Sequence, residues 1–400
     1  MYKILVIVSR YSRDLNDPGD FVTQLSEFLK KEYEVNVLAP HDFGLKFAED
    51  INGVRVFRFP YFYPYKFQKL AYGPGILDNI KESILAKIQV PFFIFFELLF
   101  SIKVILKTKS NVIHSHWIIP QGLIGALCSA IFNIKHITTI HGSDINMIKK
   151  SFFLKILCKG IFYKTDYITV NSSFTKSLLN DFIDKKNKQK IKTIPMGIDS
   201  NRFYPSDNAK LKNEDNDENI LLFVGRLIDW KGVKYLVQAM PRILNAFPKT
   251  KLKVIGEGPE KSKLKKLILK LNLKKNISLL GEIENTKIKY YYSKSDIFII
   301  PSIMVNGHTE GLGVVTVEAM ACGIPVIGSN VGGIPDVIRN NFNGYLVPQK
   351  SSSILAEKII DLISNPELKN TFGKNGIKTV KEKFTWSVIS KKFIEIIKSD

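Results

Sequence analysis

Cysteine is scarce in this 400-residue chain: Cys128, Cys158 and Cys322 are its only three. They are far apart and form no C-x-x-C pair, which excludes a disulfide framework and a cysteine-based zinc site. Each sits in an apolar helical context, so reduced, buried thiols in a cytoplasmic protein are expected. Acidic side chains are also in deficit. Asp and Glu number 37 against 58 Lys and Arg, a formal charge of +21. Such an excess favours an anionic partner (nucleic acid, a membrane surface or a phosphorylated small molecule), and the competing explanation is a Lys- and Asn-rich background composition. Zinc spacings, aromatic-rich RNA motifs and arginine-rich arms are lacking, so nucleic acid is not the expected partner. A secretory signal is not expected either. The first apolar run, Ile4 to Val8, is short and ends at Ser9-Arg10, as a first buried strand would.

Long apolar runs are lacking as well, with one exception. Residues 88–106 read IQVPFFIFFELLFSIKVIL, close to the ~20 residues a bilayer span needs. Pro91, Glu97 and Lys103 interrupt the run, and Lys81, Lys87, Lys107 and Lys109 flank it. A helix lying between a sheet and a membrane surface fits this pattern better than a span.

What is present is alternation. Domains run roughly 100–200 residues, so this length predicts two or three. Apolar strands at 3–8, 34–39, 54–59, 111–115, 135–140 and 167–170 alternate with helical patterns. Those patterns lie at 21–31 and 77–107 and start again near 120, 151 and 172. Residues 205–219, PSDNAKLKNEDNDEN, are almost devoid of apolar side chains and read as a linker. The alternation then restarts, with strands at 220–224, 251–255, 277–280, 297–300 and 326–328. Helices are predicted at 233–246, 261–272 and from 351 to the end. The expected organisation is an α/β domain over 1–204, a linker over 205–219 and a second α/β domain over 220–400. Parallel sheets covered on both faces follow, with ligands outside the carboxyl ends of strands in a cleft.

The informative chemistry lies at strand ends in the second half. The strand 220–224 runs into Gly225-Arg226 and on to Lys231-Gly232, where a helix begins. Two cations on a glycine-bearing strand-to-helix loop suit a diphosphate, and the helix N-terminus adds amide donors. The strand 297–300 leads to Glu310-Gly311-Leu312-Gly313-Val314 and, eight residues after Glu310, to Glu318. The glycines allow close backbone approach. The carboxylates can accept hydrogen bonds from vicinal hydroxyls of a ribose or hexose. Glu318 lies among Val317, Ala319 and Met320, where a carboxylate without a partner is costly.

These stretches carry a resemblance. Phe223 through Trp230-Lys231-Gly232, and His308-Thr-Glu310-Gly-Leu-Gly-Val-Val-Thr-Val-Glu318, are similar to glycosyltransferase family 4. So are Ile113-His-Ser-His116-Trp, Ile140-His141-Gly-Ser-Asp144 and Ile194-Pro-Met-Gly197-Ile-Asp199. The resemblance spans essentially the whole chain. It implies an α/β fold of two facing Rossmann-like domains, the GT-B architecture, with C-terminal helices able to return to the first domain. It also implies retention of anomeric configuration. Residue by residue, it implies that Arg226 and Lys231 hold the donor diphosphate. Glu310 then contacts the donor sugar, Glu318 the ribose, and the amides of Gly311, Leu312, Gly313 and Val314 hold sugar and phosphate. His141 faces the reacting sugar. Gly19 falls where the family has a glycine-rich phosphate loop, but the chain reads Pro18-Gly19-Asp20 there rather than a Gly-Gly pair.

The resulting expectation is a retaining, metal-independent hexosyltransferase. Its partners are a nucleotide-sugar donor, as co-substrate rather than cofactor, and a glycan or lipid-linked acceptor in cell-surface polysaccharide synthesis. It is expected in the cytoplasm, peripheral on the inner face of an anionic membrane. A metal is not implied, because the D-x-D of Asp215 and Asp217 lies in the polar linker. A sugar-nucleotide epimerase of the same fold is the nearest alternative. A nucleic-acid-binding protein and a nicotinamide dehydrogenase are more distant ones. The dehydrogenase would use Gly256-Glu-Gly258-Pro259, where the third glycine is missing and Pro259 suits a helix start.

Overall fold

The computed structural model describes residues 2–13, 21–73, 75–149, 151–180, 182–205 and 218–399. The chain forms two compact units, Met1–Pro195 joined by Ser390–Asp400, and Met196–Ile389.

The first unit opens with β1 (Lys3–Ile7), α1 (Phe21–Leu29), β2 (Glu34–Pro40), β3 (Ala48–Ile51) and β4 (Val54–Phe59). Then come α2 (Ile76–Glu82), α3 (Ile84–Thr108), β5 (Val112–His116), α4 (Leu123–Phe132) and β6 (Lys135–Ile140). It continues through α5 (Ser143–Lys149), α6 (Phe152–Lys164), β7 (Tyr167–Val170), α7 (Ser173–Leu179) and β8 (Ile191–Thr193). Its eight strands lie in the order β3-β4-β2-β1-β5-β6-β7-β8. All neighbours pair in parallel except β3 and β4. That antiparallel pair departs from the parallel sheet expected. Its cause is local: Ile51 pairs with Val54 across Asn52-Gly53, both at positive φ, the two-residue hairpin turn that Asn-Gly favours. The helix expected over 77–107 is two helices, because Ser83 is extended and its hydroxyl caps α3 by accepting from the Ala86 amide at 3.3 Å.

The second unit holds β9 (Ile220–Val224), α8 (Val233–Ala246), β10 (Lys251–Ile255), α9 (Lys261–Lys270), β11 (Ile277–Gly281) and α10 (Asn285–Ser293). It continues with β12 (Ile297–Ile300), α11 (Val314–Ala321), β13 (Val326–Ser329), α12 (Ile334–Val337) and β14 (Gly344–Val347). Helices α13 (Ser352–Ser364), α14 (Pro366–Lys383) and α15 (Trp386–Lys398) end the chain. Six strands run parallel in the order β11-β10-β9-β12-β13-β14. Side chains of β9 alternate between two cores. Leu221 and Phe223 join the one built with α8, α9 and α13, while Leu222 and Val224 join the one built with α11 and β13. A strand buried on both faces has to be apolar throughout, as ILLFV is.

The unit boundary falls at Pro195/Met196, ahead of the polar stretch, of which 206–217 lie outside the described residues. Residues 196–203 pack on the second unit. Ile198 bridges Thr385 and donates to Phe384 O at 2.8 Å, Gly197 lies under the Trp386 ring, and Phe203 meets Tyr292. The chain then returns. Phe393 of α15 stacks on His114, 5.1 Å between ring centres, and Lys135 Nζ donates to the Ile397 carbonyl at 3.1 Å and to that of Ser399.

Candidate active site

Among the parallel strands of each sheet the order reverses once, between β1 and β5 in the first unit and between β9 and β12 in the second. Loops leaving the carboxyl ends of the two strands at such a point diverge, and the crevice they leave is where open α/β sheets bind ligands.

In the second unit the loop after β9 carries Arg226 and, in a short 3-10 turn over Asp229–Lys231, Lys231. Gly232 follows at φ +66°, and a Cβ there would collide with the Pro301 carbonyl at the end of β12. The two loops are therefore locked against each other, which the Ile303 amide reinforces by donating to Trp230 O at 2.8 Å. Beyond β12 the chain makes a small hairpin in which Val305 and His308 exchange both backbone hydrogen bonds across Asn306-Gly307. That hairpin lays the His308 ring on Trp230, 5.4 Å between centres, and delivers Glu310 to the interior. Glu310 is buried, ion-paired with Lys231, and accepts a second hydrogen bond from Ser302 Oγ at 3.1 Å. Arg226 is exposed and has no ion pair among the described residues.

Gly313, at φ +79°, precedes the first turn of α11, whose amides have no helical acceptors of their own. Glu318 sits on α11 with Oε2 2.9 Å from the Tyr292 hydroxyl, which also lies 3.2 Å from Val315 O. Burial raises the Glu318 carboxyl above its ordinary range, against the opposing pull of Tyr292 and Arg202.

In the first unit His141 follows β6. Its Nε2 is 3.3 Å from His116 Nδ1, and the two rings stack with their planes 12° apart. Phe21 and Trp117 close on it with ring centres 4.6 and 4.7 Å away. Burial in this aromatic setting, with His114 adding to it, pushes His141 down to about 3, so the ring is neutral at physiological pH. Among the described residues His141 Nδ1 and His116 Nε2 have no hydrogen-bond partner. Buried Asp144 holds the loop, accepting from the Gly142 amide at 3.0 Å and the Ile118 amide at 3.2 Å.

The structure thus gathers Arg226, Lys231, Glu310, Gly311, Leu312, Gly313, Val314 and Glu318 around one end of one sheet. His141 lies in the other unit, and Gly19, Asp215 and Asp217 lie outside the described residues. Sequence reasoning missed Ser302, Tyr292 and the pairing of His116 with His141. The last had a signal, since the alternating residues of Ile113-His-Ser-His116 put His114 and His116 on one face of β5. An open groove of about 700 Å³ in the first unit is a different feature. Its rim includes Lys135, Asp166 and Lys190, so it lies at the amino ends of β6 and β7, away from the ligand crevice.

A sheet that reverses at β9/β12, with Arg226, Lys231 and Glu310 on its carboxyl-end loops and Glu318 on the helix that follows, suits an anionic, hydroxyl-rich ligand. Comparison with known proteins makes that class specific. The family model described as Glycosyltransferase Family 4 matches residues 19–202, and that described as Glycosyl transferases group 1 matches residues 206–379. A glycosyltransferase of Methanocaldococcus jannaschii is 34% identical over 276 residues, covering 69% of this chain and 72% of its own. The N-acetyl-alpha-D-glucosaminyl L-malate synthase of Bacillus anthracis is 31% identical over 281 residues, covering 68% and 71%. Sucrose-phosphate synthase from Thermosynechococcus elongatus has the same fold, with a TM-score of 0.78 at 24% identity, covering 99% of this chain and 98% of its own. The chain belongs to glycosyltransferase family 4 and has the GT-B fold.

Proposed function

We propose that this glycosyltransferase moves a hexose-type sugar from a nucleotide diphosphate sugar to a hydroxyl of a glycan or lipid-linked precursor, with retention and without a metal ion. The observation that carries this reading is the meeting of Arg226, Lys231 and Glu310 on the two loops that flank the strand-order reversal of the second unit. Breaking a sugar–phosphate bond builds negative charge on the leaving diphosphate. Arg226, Lys231 and the first amides of α11 stabilise that charge where it develops. Lys231 is held by Glu310 in the free protein, so the pair is oriented before the donor arrives. Glu310 accepts from a sugar hydroxyl, and Glu318, oriented by Tyr292, accepts from the ribose. The departing phosphate oxygen takes the acceptor proton on the face from which it leaves, which preserves the anomeric configuration. The role of His141 toward the sugar rests on the family resemblance. In its own unit it is a neutral imidazole with an unengaged nitrogen. Free, buried Cys128, Cys158 and Cys322 support a reducing, cytoplasmic setting.

The test is a thermal-shift screen of UDP-, GDP- and ADP-sugars, because a ligand that binds the folded state raises stability by mass action. Nucleotide release is then followed with and without acceptor, and the anomeric proton of the product is read by NMR. Stabilisation by one donor, acceptor-dependent release and an unchanged anomer are expected. Nucleotide-sugar turnover without acceptor would assign the protein to epimerases, and an inverted anomer would refute the mechanism.

A further inference from the structure

Helix α3 carries apolar side chains on its outer face and several polar ones on its inner face. Its buried residues include Gln89, Glu97, Ser101 and Thr108. Gln89 is fixed there by accepting from the Lys69 amide at 2.9 Å and donating to Phe67 O at 2.6 Å, and Glu97 accepts from Gln121 at 3.0 Å. Its exposed large apolar residues are Ile84, Ile88, Phe92, Phe95, Leu99 and Leu106, with Lys87, Lys103 and Lys107 exposed beside them. The apolar spacing of three, four and seven draws one continuous stripe along the helix. A continuous apolar stripe on the outer face of a helix calls for an apolar partner outside.

The stripe does not stand alone. Helices α3, α4 and α6 cross between β4 and β5, β5 and β6, and β6 and β7, stepping the same way along the sheet. Right-handed crossovers put all three on one face of the sheet, and α3 packs on α4 as α4 does on α6. Helix α4 exposes Leu127 and Ile131, and α6 exposes Phe152 at 80%, Phe153 at 72% and Ile156. The charge of this layer has one sign. Lys87, Lys103, Lys107, Lys155, Lys159 and Lys164 lie on these helices, whose single acidic residue, Glu97, is buried.

We propose that the outer face of α3, α4 and α6 docks on the surface of an anionic lipid bilayer, with the helices lying in its plane. Exposed apolar side chains and a set of long, flexible cations, of which Lys159 also pairs with Asp184 at 3.6 Å, match the two layers of such a surface. The rings and aliphatic chains enter the acyl boundary, and the lysines reach back to lipid phosphates. A span by α3 is incompatible with the packing. Although the helix is long and apolar enough to cross a bilayer, Phe93, Val104 and Ile105 on its inner face lie in the core of the first unit with Leu5, Ile7 and Phe59. The inference is independent of the transfer reaction, since it concerns the opposite requirement, where the enzyme stands rather than what it moves.

The experiment is flotation of the full chain with vesicles of phosphatidylcholine alone and of phosphatidylcholine with one third phosphatidylglycerol, at low and high salt. Wild type is expected to float with the anionic vesicles and to be released by salt. Phe95→Gln/Leu99→Gln and Phe152→Gln/Phe153→Gln should each weaken partition about tenfold. Each of Lys87→Gln and Lys103→Gln should weaken it about fivefold. Circular dichroism and donor-induced thermal shifts identify variants that are folded. Phe95→Trp supplies a second reading, a blue-shifted emission on anionic vesicles. Wild type that stays in solution, folded stripe variants that float like wild type, or a wild-type dimer in light scattering that these variants abolish would each overturn the proposal. The last would make a second copy of the chain the occupant.

Discussion

Replacing Lys231 by alanine tests the proposed donor site at two levels at once. The side chains of Lys231 and Glu310 retain 16% and 9% of their exposure, and among the described residues the ammonium is the one cation paired with that carboxylate. Alanine leaves Glu310 buried with only the Ser302 hydroxyl. Breaking a buried pair in this way costs ~3–5 kcal/mol, and the residual exposure of Lys231 points to the lower end. For a unit of this size each kcal/mol moves Tm by ~2–4 °C, so Lys231→Ala should melt about 6–12 °C lower. Adding Glu310→Gln removes the stranded charge and should recover at least half of the loss. Turnover behaves differently. A contact that strengthens as the diphosphate leaves is worth ~3 kcal/mol, about a hundredfold in kcat, and the second substitution does not restore it. Differential scanning calorimetry, steady-state kinetics at saturating acceptor and calorimetric binding of the free nucleoside diphosphate read these quantities separately. A Lys231→Ala enzyme that melts, binds diphosphate and turns over like wild type would falsify both the ion pair and the site.

Arg226→Ala should lose turnover and diphosphate affinity yet melt within ~0.5 kcal/mol of wild type, since the exposed guanidinium has no ion pair among the described residues. Combined with Lys231→Ala its kinetic effect should be less than additive, as both cations hold one anion. Tyr292→Phe should weaken nucleotide binding more than it slows kcat, because it frees a carboxylate that meets the same hydroxyls before and during reaction; equal losses in kcat and kcat/KM would contradict this. Burial raises Glu97 from 4.5 to about 8, so the native state holds its proton more tightly than the unfolded chain. Stability then falls as pH rises from about 4.5 through about 8, and denaturant titrations of Glu97→Gln should show that slope flattened and the variant more stable at pH 9. Burial lowers His114, His136 and His141 to about 3, so their imidazole NMR signals should not titrate above pH 5. Their contribution to stability is complete above pH 6.5 and is lost as pH falls from there towards 3; a midpoint near 6.5 for any of them would contradict their burial.

The elements most legible in the sequence were those whose burial is uniform. Ile220–Val224 and Ile297–Ile300 begin and end where their apolar runs do, because a parallel strand covered on both faces tolerates little else. The strands β3, β8 and β14 escaped notice: AEDI, IKT and GYLV are short, and the first two present polar side chains to solvent. Yet β3 was signalled by Asn52-Gly53, and the loop that delivers Glu310 by Asn306-Gly307, turn chemistry that periodicity does not register. The site divides in the same way. Arg226, Lys231 and Glu310, on strand-end loops, and Glu318, on the helix that follows, could be nominated because their chemistry sits in local motifs. Ser302, Tyr292 and the His116–His141 contact join residues through the fold. Tyr292 is 26 residues from Glu318, and no local pattern links them.

The course of the chain between the two units also bears on how such enzymes can be recombined. Because Ser390–Asp400 folds with the first half, an exchange of halves between two relatives needs two seams, at 195/196 and at 389/390. A hybrid cut only at the first would set a foreign β5 against the native Phe393 and a foreign β6 against carbonyls that Lys135 now satisfies. The last eleven residues therefore travel with the first half, and libraries of hybrids built on a single crossover should fail at that surface before their chemistry is ever tested.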